Sequence, residues 1–331
     1  MQPQTLPLRI TSIESATDLI KLIRLAPAGG TTLPGFAPGA HIQIELPAGA
    51  NVVGGGAWRS YSLINFDPTF NTAALAREYV IGIRREDEGR GGSRYIHRNF
   101  KIGDVVSVRV PTNNFPLTPH PGALLLGGGI GVTPIISMAS ELARLKFRFD
   151  FHYTGRSFGQ LAFVDTLKSL FGTQLHLHAD DDATTRLDIA ALLKSHNPSQ
   201  PIYVCGPKGM IEATISIAES LGWAKADLHF ELFSEAAAQE GDQPFEVELK
   251  SSGKIITVPA DKSLLDTLEA SGVDMMYDCR SGYCGLCSVT VLSGEIDHRD
   301  TYLSADDYAK GNVMQACISR AKSGSRLVLD L

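Results

Sequence analysis

The sequence predicts three consecutive domains of different fold class: an antiparallel β-barrel, an α/β domain with a doubly wound parallel sheet, and a smaller α+β domain. Short alternating strands fill the first third, strands and helices alternate in the middle, and a polar linker precedes the last quarter. A chain of 331 residues also exceeds the usual single core. We place the domains at residues 1–118, 119–233 and 244–331, with a linker at 234–243.

The first domain consists of short strands separated by Gly and Pro. Residues 41–46 and 105–110 alternate apolar and polar side chains, and helical periodicity is scarce. Strands this short, with turn signals this frequent, are typical of an antiparallel barrel or sandwich.

The second domain begins with a continuous apolar run at 123–126, which suits a strand buried on both faces. Strands are predicted at 148–153, 175–178, 202–205 and 228–230, and helices at 187–194 and 210–221. After the polar linker, strands 245–249 and 254–258 form a predicted hairpin, followed by a helix over 263–270 that ends at Gly272.

Composition excludes several partner classes. The chain is 44% apolar and 20% charged, with a formal net charge of −6 and no clustered basic face, so nucleic acid is not expected to bind. The first residues lack a basic segment followed by an apolar run, and no stretch approaches the roughly 20 apolar residues of a membrane span. We expect a cytoplasmic monomer without a membrane partner.

The strongest motif is a set of four cysteines. Cys279, Cys284, Cys287 and Cys317 form the pattern C-x4-C-x2-C followed by a distant fourth Cys, which is the plant-type [2Fe–2S] spacing. Glycines between the first three allow a tight loop around the sulfurs. Four cysteines can also bind zinc, but zinc sites favour paired C-x2-C units and only one occurs here. The pattern favours an iron–sulfur cluster.

A glycine-rich turn follows the strand at 123–126. In G-G-G-I-G-V-T-P (127–134), Thr133 is a suitable N-cap and Pro134 a suitable first residue of a helix continuing over 135–145. Amides at such a helix start can bind a pyrophosphate, although an ordinary tight turn would look similar. Cys205-Gly206-Pro207 follows another strand, where a buried Cys before a turn is the simpler interpretation when the motif stands alone.

Two motifs of the first domain have the same ambiguity when taken singly. Arg59-Ser60-Tyr61-Ser62-Leu63 alternates like a strand, so Arg59 and Tyr61 share one face and Ser60 and Ser62 the other. The stretch G-R-G-G-S at 89–93 offers amides and a hydroxyl to a phosphate, or is a plain loop.

The order of these motifs, together with Phe-Glu-Leu-Phe at 230–233 and the C-terminal cysteines, resembles the phthalate dioxygenase reductase family, which includes vanillate demethylase reductases. The resemblance implies an FMN-binding barrel, an NAD-binding α/β domain and a plant-type ferredoxin domain of the β-grasp fold. It further implies that hydride passes from NADH to FMN, and single electrons then pass through the cluster to a Rieske-type oxygenase.

The resemblance also assigns individual residues. Those implied to hold the flavin are Arg59, Ser60, Tyr61, Ser62, Ile83 and Arg84, with Gly91, Gly92 and Ser93 at its phosphate. Those implied to contact the dinucleotide are Gly129, Gly131, Thr133, Cys205, Gly206 and Pro207. The residues implied at the reacting centre are Ser62 near the flavin nitrogen that accepts hydride, Thr133 and Cys205 beside the nicotinamide, and Phe233 over the flavin.

The residues alone do not decide between NADH and NADPH or identify the electron acceptor. Arg156 follows the second strand of the α/β domain and suits the 2′-phosphate of NADPH, whereas the family favours NADH, which we choose. A reductase for a cytochrome P450 or a general diaphorase would use the same internal chemistry. A redox sensor would need no intact nicotinamide site, and the motifs at 128–134 and 205–207 speak against it.

Overall fold

The computed structural model describes residues 4–30, 32–47, 58–89, 91–233, 239, 241–277, 280, 282 and 285–331. The chain packs as two compact units, Met1–Glu231 and Leu232–Leu331. The first unit contains an antiparallel and a parallel sheet, and the second contains a mixed sheet. The finer division at 118 and at the linker 234–243 stays a prediction.

Six antiparallel strands form the first sheet: β1 (Thr5–Ser15), β2 (Ile20–Pro27), β3 (His41–Glu45), β4 (Trp58–Ser62), β5 (Tyr79–Arg84) and β6 (Val105–Thr112). Their order is β4-β3-β6-β1-β2-β5. Immediately after β4, the amide of Ile64 donates to the carbonyl of Val80 at 2.8 Å, and Leu63 bridges to Ile81. These contacts join the two edge strands and close the predicted barrel.

Alternate side chains fill the barrel, as the sequence pattern predicts. Ile10 of β1 and Ile42 and Ile44 of β3 are completely buried. A helix that the sequence did not predict, α1 (Gly92–Asn99), adds Ile96 to the same core. Its short length and mostly polar sequence hide its periodicity.

Five parallel strands form the second sheet: β7 (Ala123–Gly128), β8 (Phe149–Gly155), β9 (Leu175–Ala179), β10 (Ile202–Cys205) and β11 (Leu228–Glu231). All five coincide with predicted strands to within two residues. Their order, β11-β10-β7-β8-β9, changes direction between β7 and β10. The carboxyl ends of these two strands therefore flank the crevice where doubly wound folds bind ligands.

Four helices connect these strands: α2 (Val132–Arg144), α3 (Val164–Phe171), α4 (Ile189–Lys194) and α5 (Lys208–Ser220). Ile135 and Met138 of α2 and Leu167 of α3 pack with Phe151 in the apolar core of this sheet. Helix α3 was not predicted. Over the part of the chain that the structure describes, no helix is both long enough and apolar enough to cross a membrane.

The second unit is an α+β fold with these elements: β12 (Phe245–Leu249), β13 (Lys254–Val258), α6 (Leu264–Ala270), β14 (Ser288–Ser293), β15 (Ile296–Asp297), α7 (Ala305–Lys310), β16 (Val313–Gln315), β17 (Arg320–Ala321) and β18 (Leu327–Leu329). Strands β13-β12-β18-β14-β16 form one sheet in which only β12 and β18 are parallel. Ser263 caps α6 by accepting the Asp266 amide at 3.0 Å, so this helix begins one residue after the predicted start.

Candidate functional site

Strand β4 carries the residues assigned to the flavin. The register of β4 on β3 places Ser62 opposite His41. The Ser62 side chain is 4% exposed, and its hydroxyl has no hydrogen-bond partner among the described residues. Because a buried hydroxyl without a partner is costly and uncommon, Ser62 retains hydrogen-bonding capacity suited to a ligand.

Helix α1 begins next to this strand. Its N-cap, Gly91, has φ = +91°, a conformation that favours glycine. A Cβ atom on Gly92 would lie only 2.9 Å from Nε of Arg59, so the guanidinium reaches the helix start. A helix N-terminus beside a guanidinium favours a bound phosphate, because both present N–H donors and positive charge.

The other residues assigned near this position have different surroundings. Ser93 Oγ accepts the amide of Glu86 at 3.0 Å and so ties α1 to the segment after β5. The Arg84 guanidinium pairs with the Glu86 carboxylate. The Ile83 side chain is fully buried in the barrel core, which leaves only its backbone available to a ligand.

Strand β5 also contacts the glycine-rich loop of the parallel sheet. A Cβ atom on Gly82 would lie 3.0 Å from Cγ2 of Thr133 and 3.4 Å from Cδ1 of Ile130. Glycine at 82 therefore permits close approach between the barrel and the loop. This contact brings the residues assigned to the flavin and to the nicotinamide to one region of the first unit.

The two motifs assigned to the dinucleotide touch each other across the switch point. A Cβ atom on Gly131 would lie 2.3 Å from the carbonyl oxygen of Cys205, and one on Gly128 would lie 2.7 Å from Cδ of Pro207. Gly206 is similarly confined, because a Cβ atom there would lie 2.9 Å from the Gly128 Cα atom. Gly129 has φ = +55° and no such contact, so its side of the loop is open.

Cys205 is completely buried at the end of β10 and lies opposite Glu231 of β11 in the sheet register. Burial, and secondarily the Glu231 carboxylate, raise the pKa of the Cys205 thiol well above its ordinary value. The thiol therefore stays protonated at neutral pH. It can pack against a ligand as a small neutral group, and it does not act as a nucleophilic thiolate.

The predicted start of α2 was wrong. Gly129–Gly131 forms a 3₁₀ turn, Gly131 is the N-cap, and the helix begins at Val132. Thr133 therefore lies inside the helix, where its hydroxyl donates to the Ile130 carbonyl at 3.0 Å. Thr133 is 1% exposed, and its oxygen keeps acceptor capacity only.

Arg156, which the sequence analysis assigned to the 2′-phosphate of a dinucleotide, is exposed directly after β8. The structure also brings Asp180 and Asp181, which directly follow the neighbouring strand β9, to the end of β8. The Asp181 amide donates to the Arg156 carbonyl at 3.1 Å, and the Asp180 amide donates to the Gly155 carbonyl at 2.9 Å. This edge of the sheet therefore carries both signs of charge.

The cysteine site lies in the second unit, and Cys279 and Cys284 fall outside the described residues. Cys287 and Cys317 are 2% and 3% exposed in the core of this unit. They approach each other because the Ala316 amide donates to the Cys287 carbonyl at 3.1 Å. Within the described ranges no three His, Cys, Asp or Glu side chains are arranged so that they could hold a metal ion, and only two of the four cysteines belong to those ranges.

The described part of the cysteine loop has the conformation that a tight thiolate loop needs. Arg280, Gly282 and Gly285 all have positive φ, at 52°, 78° and 75°. Arg280 is held in this conformation by ion pairs with Asp266 and Glu269 of α6. These features, with two buried thiols, fit a cluster bound by this loop and Cys317.

Phe233 is 42% exposed, two residues after β11, and belongs to the second unit. Sequence reasoning missed Gly82, and it also missed Ser137 and Ser140 of α2, which bond to the chain after β4. The sequence signal that could have pointed to Ser137 and Ser140 was the occurrence of two serines within an apolar helix. Glu231 was noticed as part of Phe-Glu-Leu-Phe, but its position beside Cys205 was not predicted.

A family model for the 2Fe–2S iron–sulfur cluster binding domain matches residues 247–322. The vanillate O-demethylase oxidoreductase of Pseudomonas sp. (strain HR199 / DSM 7063) is 38% identical over 320 residues, covering 96% of both chains. The match to the cluster domain supports an iron–sulfur cluster over zinc at the four cysteines.

Solved structures also resemble the whole chain. Phthalate dioxygenase reductase, a modular structure for electron transfer from pyridine nucleotides to [2Fe–2S], is 34% identical with a TM-score of 0.76, covering 99% of this chain and 98% of that one. An intact type IV self-sufficient cytochrome P450 monooxygenase is 34% identical with a TM-score of 0.73. The chain covers 41% of the length of that P450 protein.

Proposed function

Because this chain belongs to the phthalate dioxygenase reductase family, we propose that it is the NADH-dependent reductase component of an oxygenase system. Hydride passes from NADH to FMN, and single electrons then pass through a [2Fe–2S] cluster to the oxygenase. The observation that carries the proposal is the contact of Gly82 with Thr133, which joins the flavin strand region to the dinucleotide loop in a chain that also has a cluster domain.

FMN is held by the barrel in this proposal. Arg59 and the amides of Gly91 and Gly92 bind its phosphate, and Ser93 holds the start of α1 in place. Ser60, Tyr61, Ile83 and Arg84 surround the flavin, and the unused Ser62 hydroxyl faces the ring nitrogen that receives hydride. The geometry at Gly92 and the unpartnered Ser62 oxygen support this assignment.

NADH occupies the switch-point crevice. Its pyrophosphate lies at Gly129 and Gly131, and Gly206 and Pro207 form the opposite wall. Thr133 and Cys205 position the nicotinamide, and Arg156 lies at the adenosine end. The close packing of Gly128 and Gly131 on residues 205–207 supports a single binding crevice built from both motifs.

Cys279, Cys284, Cys287 and Cys317 ligate the cluster, and the acceptor is a Rieske-type oxygenase met in the cytoplasm by a monomeric reductase. The domains are 1–118, 119–233 and 244–331, joined by the linker 234–243. A cytochrome P450 is the second candidate acceptor, because a self-sufficient P450 contains a region that resembles this whole chain. Reduction rates with a purified oxygenase of each class separate the two candidates.

The cofactor assignment is tested on purified protein. We expect acid-released flavin to elute as FMN on reversed-phase chromatography, and iron and sulfide analysis to give two of each per chain. Anaerobic NADH should bleach the flavin before the cluster. Release of FAD, zinc in place of iron, or a flavin that NADH does not bleach would each contradict the assignment.

A further inference from the structure

Two serine hydroxyls join helix α2 to the segment that follows the flavin strand. Ser137 Oγ donates to the Leu63 carbonyl at 2.7 Å and accepts the Asn65 amide at 2.8 Å. Ser140 Oγ donates to the Asn65 carbonyl at 2.6 Å. Three hydrogen bonds thus link one face of α2 to the main chain of residues 63–65.

The direction of these bonds is unusual for hydroxyl groups within a helix. Such hydroxyls commonly bond to the carbonyl four residues earlier in their own helix. Thr214 of α5 does so with Met210 at 2.8 Å, and Thr267 of α6 does so with Ser263 at 2.9 Å. Ser137 instead both donates to and accepts from a different part of the fold.

The surroundings make the bonds strong and specific. Ser137 and Ser140 are at most 1% exposed, and Ile64 packs with Val132 and Ile135 in the same apolar cluster. Hydrogen bonds shielded from water hold their geometry well, because breaking them leaves main-chain groups without partners. Apolar contacts alone would hold α2 against residues 63–65, but they would restrict the sliding of one along the other less strongly.

The linked positions lie next to the residues assigned to the reacting centre. Leu63 directly follows Ser62, and Ser137 lies one helical turn after Thr133 on the same face of α2. The Thr133 methyl group also lies against Gly82 of β5. A shift of α2 along or around its axis would therefore change the separation between Thr133 and Ser62.

We propose that Ser137, assisted by Ser140, is a positioning residue that sets the alignment of the nicotinamide site on α2 against the flavin site on β4. This inference rests on the proposed function. Hydride transfer converts NADH to NAD⁺ and places the hydride on FMN, so its rate depends steeply on alignment, and a misplacement of about 1 Å can cost about 100-fold. The serines touch neither reactant and act only through main-chain contacts.

The test compares Ser137→Ala, Ser140→Ala and a matched control, Thr214→Ala, in the full chain with its cofactors. Thr214 is also 1% exposed in a helix of the parallel-sheet domain, but its hydroxyl bonds within its own helix. Stopped-flow reduction by NADH gives the limiting rate of flavin reduction and the apparent Kd separately. Hydrogen exchange of the Asn65 amide, measured without NADH, reports directly on the linkage.

We expect the limiting rate to fall at least about tenfold in Ser137→Ala and less in Ser140→Ala, because the first loses two bonds and the second one. The Kd should change less than about twofold, and the Asn65 amide should exchange faster. Thr214→Ala should match the unsubstituted protein in the limiting rate of flavin reduction and in the exchange rate of the Asn65 amide. If Ser137→Ala does not fold, Ser140→Ala carries the test.

Limiting rates within about twofold of the unsubstituted protein, with only the melting temperature lowered, would overturn the inference, because the serines would then only stabilise the fold. Equal losses in Thr214→Ala would overturn it as well. Failure of the proposed function looks different: NADH would then not reduce flavin in the unsubstituted protein.

Discussion

Single side chains assigned to the reacting centre differ in what they can offer a ligand. Ser62 has a buried hydroxyl with no partner among the described residues. The Thr133 hydroxyl already donates to Ile130. The Cys205 thiol is neutral, because burial raises its pKa. A protonated thiol is only a weak donor, so Ser62 alone of the three keeps an uncommitted O–H donor for a flavin nitrogen, which makes it the most informative residue to replace.

Ser62→Ala should slow flavin reduction by NADH about 10- to 100-fold, since a hydrogen bond to a developing charge contributes about 1.5–3 kcal/mol. The same change should leave the melting temperature of flavin-free protein unchanged or raise it, because it removes an unpartnered buried hydroxyl. Stopped-flow spectroscopy and thermal melts provide the two measurements. Ser107→Ala, at an exposed serine of β6 in the same sheet, is the control. An unchanged reduction rate in Ser62→Ala would remove Ser62 from the reacting centre.

Nucleotide preference is also decided by single residues. We expect kcat/KM for NADH to exceed that for NADPH, because the edge that carries Arg156 also carries Asp180 and Asp181. Arg156→Ala should lower NADPH use about tenfold by removing a charged contact to the 2′-phosphate, and should leave NADH use unchanged. Steady-state ferricyanide reduction measures both. NADPH use equal to NADH use would show that Arg156 dominates this edge.

At the start of helix α2, a tertiary contact overrides the local sequence signals for a helix N-terminus. Thr133-Pro134 is a good local N-terminus, and the sequence predicted the cap there. The loop instead packs Gly131 directly on the backbone of Cys205, and the helix begins earlier, at Val132. A residue that is distant in sequence thus determines the helix start, so no window of local sequence contains the information.

Strands β8 and β9 place a histidine cluster on the sheet that the sequence did not indicate. His152 Nδ1 lies 2.9 Å from Nε2 of His178, and the His152 ring stacks on that of His176. His196 and Asp150 complete the set, with their side chains 3.3 Å apart. The alternation at 148–153 predicted a strand correctly, but the partner strand and the following helix bring the histidines together.

This cluster predicts acid lability of the parallel-sheet domain. Burial, followed by the neighbouring histidines, lowers the pKa of His152 from 6.5 to about 3. The unfolded chain therefore binds a proton that the folded chain does not, so stability is complete above about pH 6.5 and falls by about 1.4 kcal/mol per pH unit below it. His152→Gln should flatten the melting temperature between pH 6.5 and 4.5. His120→Gln, on the surface, should not, and a steep curve in His152→Gln would assign the lability to other groups.

At the scale of the whole molecule, the sequence predicted the order and class of the folds but not how they meet. Strand periodicity and motif spacing are local, and they identified the barrel, the parallel sheet and the cysteine pattern. The contacts of Gly82 with Thr133 and of Ser137 with Leu63 depend on packing between two sheets. Neither glycine nor serine carries a pattern that specifies such a partner.

The division into two units separates the residues assigned to hydride transfer, apart from Phe233, from those assigned to the cluster. Ser62, Thr133 and Cys205 belong to the unit Met1–Glu231, whereas Cys287 and Cys317 belong to the unit Leu232–Leu331. Cys317 lies in the core of its own unit, beside β14 and β16. A change at Cys317 should therefore damage the cluster and leave the first unit folded.

Cys317→Ser replaces a thiolate with a harder oxygen ligand, so we expect the iron–sulfur absorbance to be lost or strongly altered while flavin stays bound. NADH should still bleach the flavin, and ferricyanide reduction should persist, since ferricyanide accepts electrons from flavin directly. Reduction of the oxygenase or of cytochrome c should collapse. Cys205→Ser is the reciprocal control and should keep the cluster absorbance. If NADH no longer bleached the flavin in folded Cys317→Ser, the order of NADH, FMN and then cluster would be wrong.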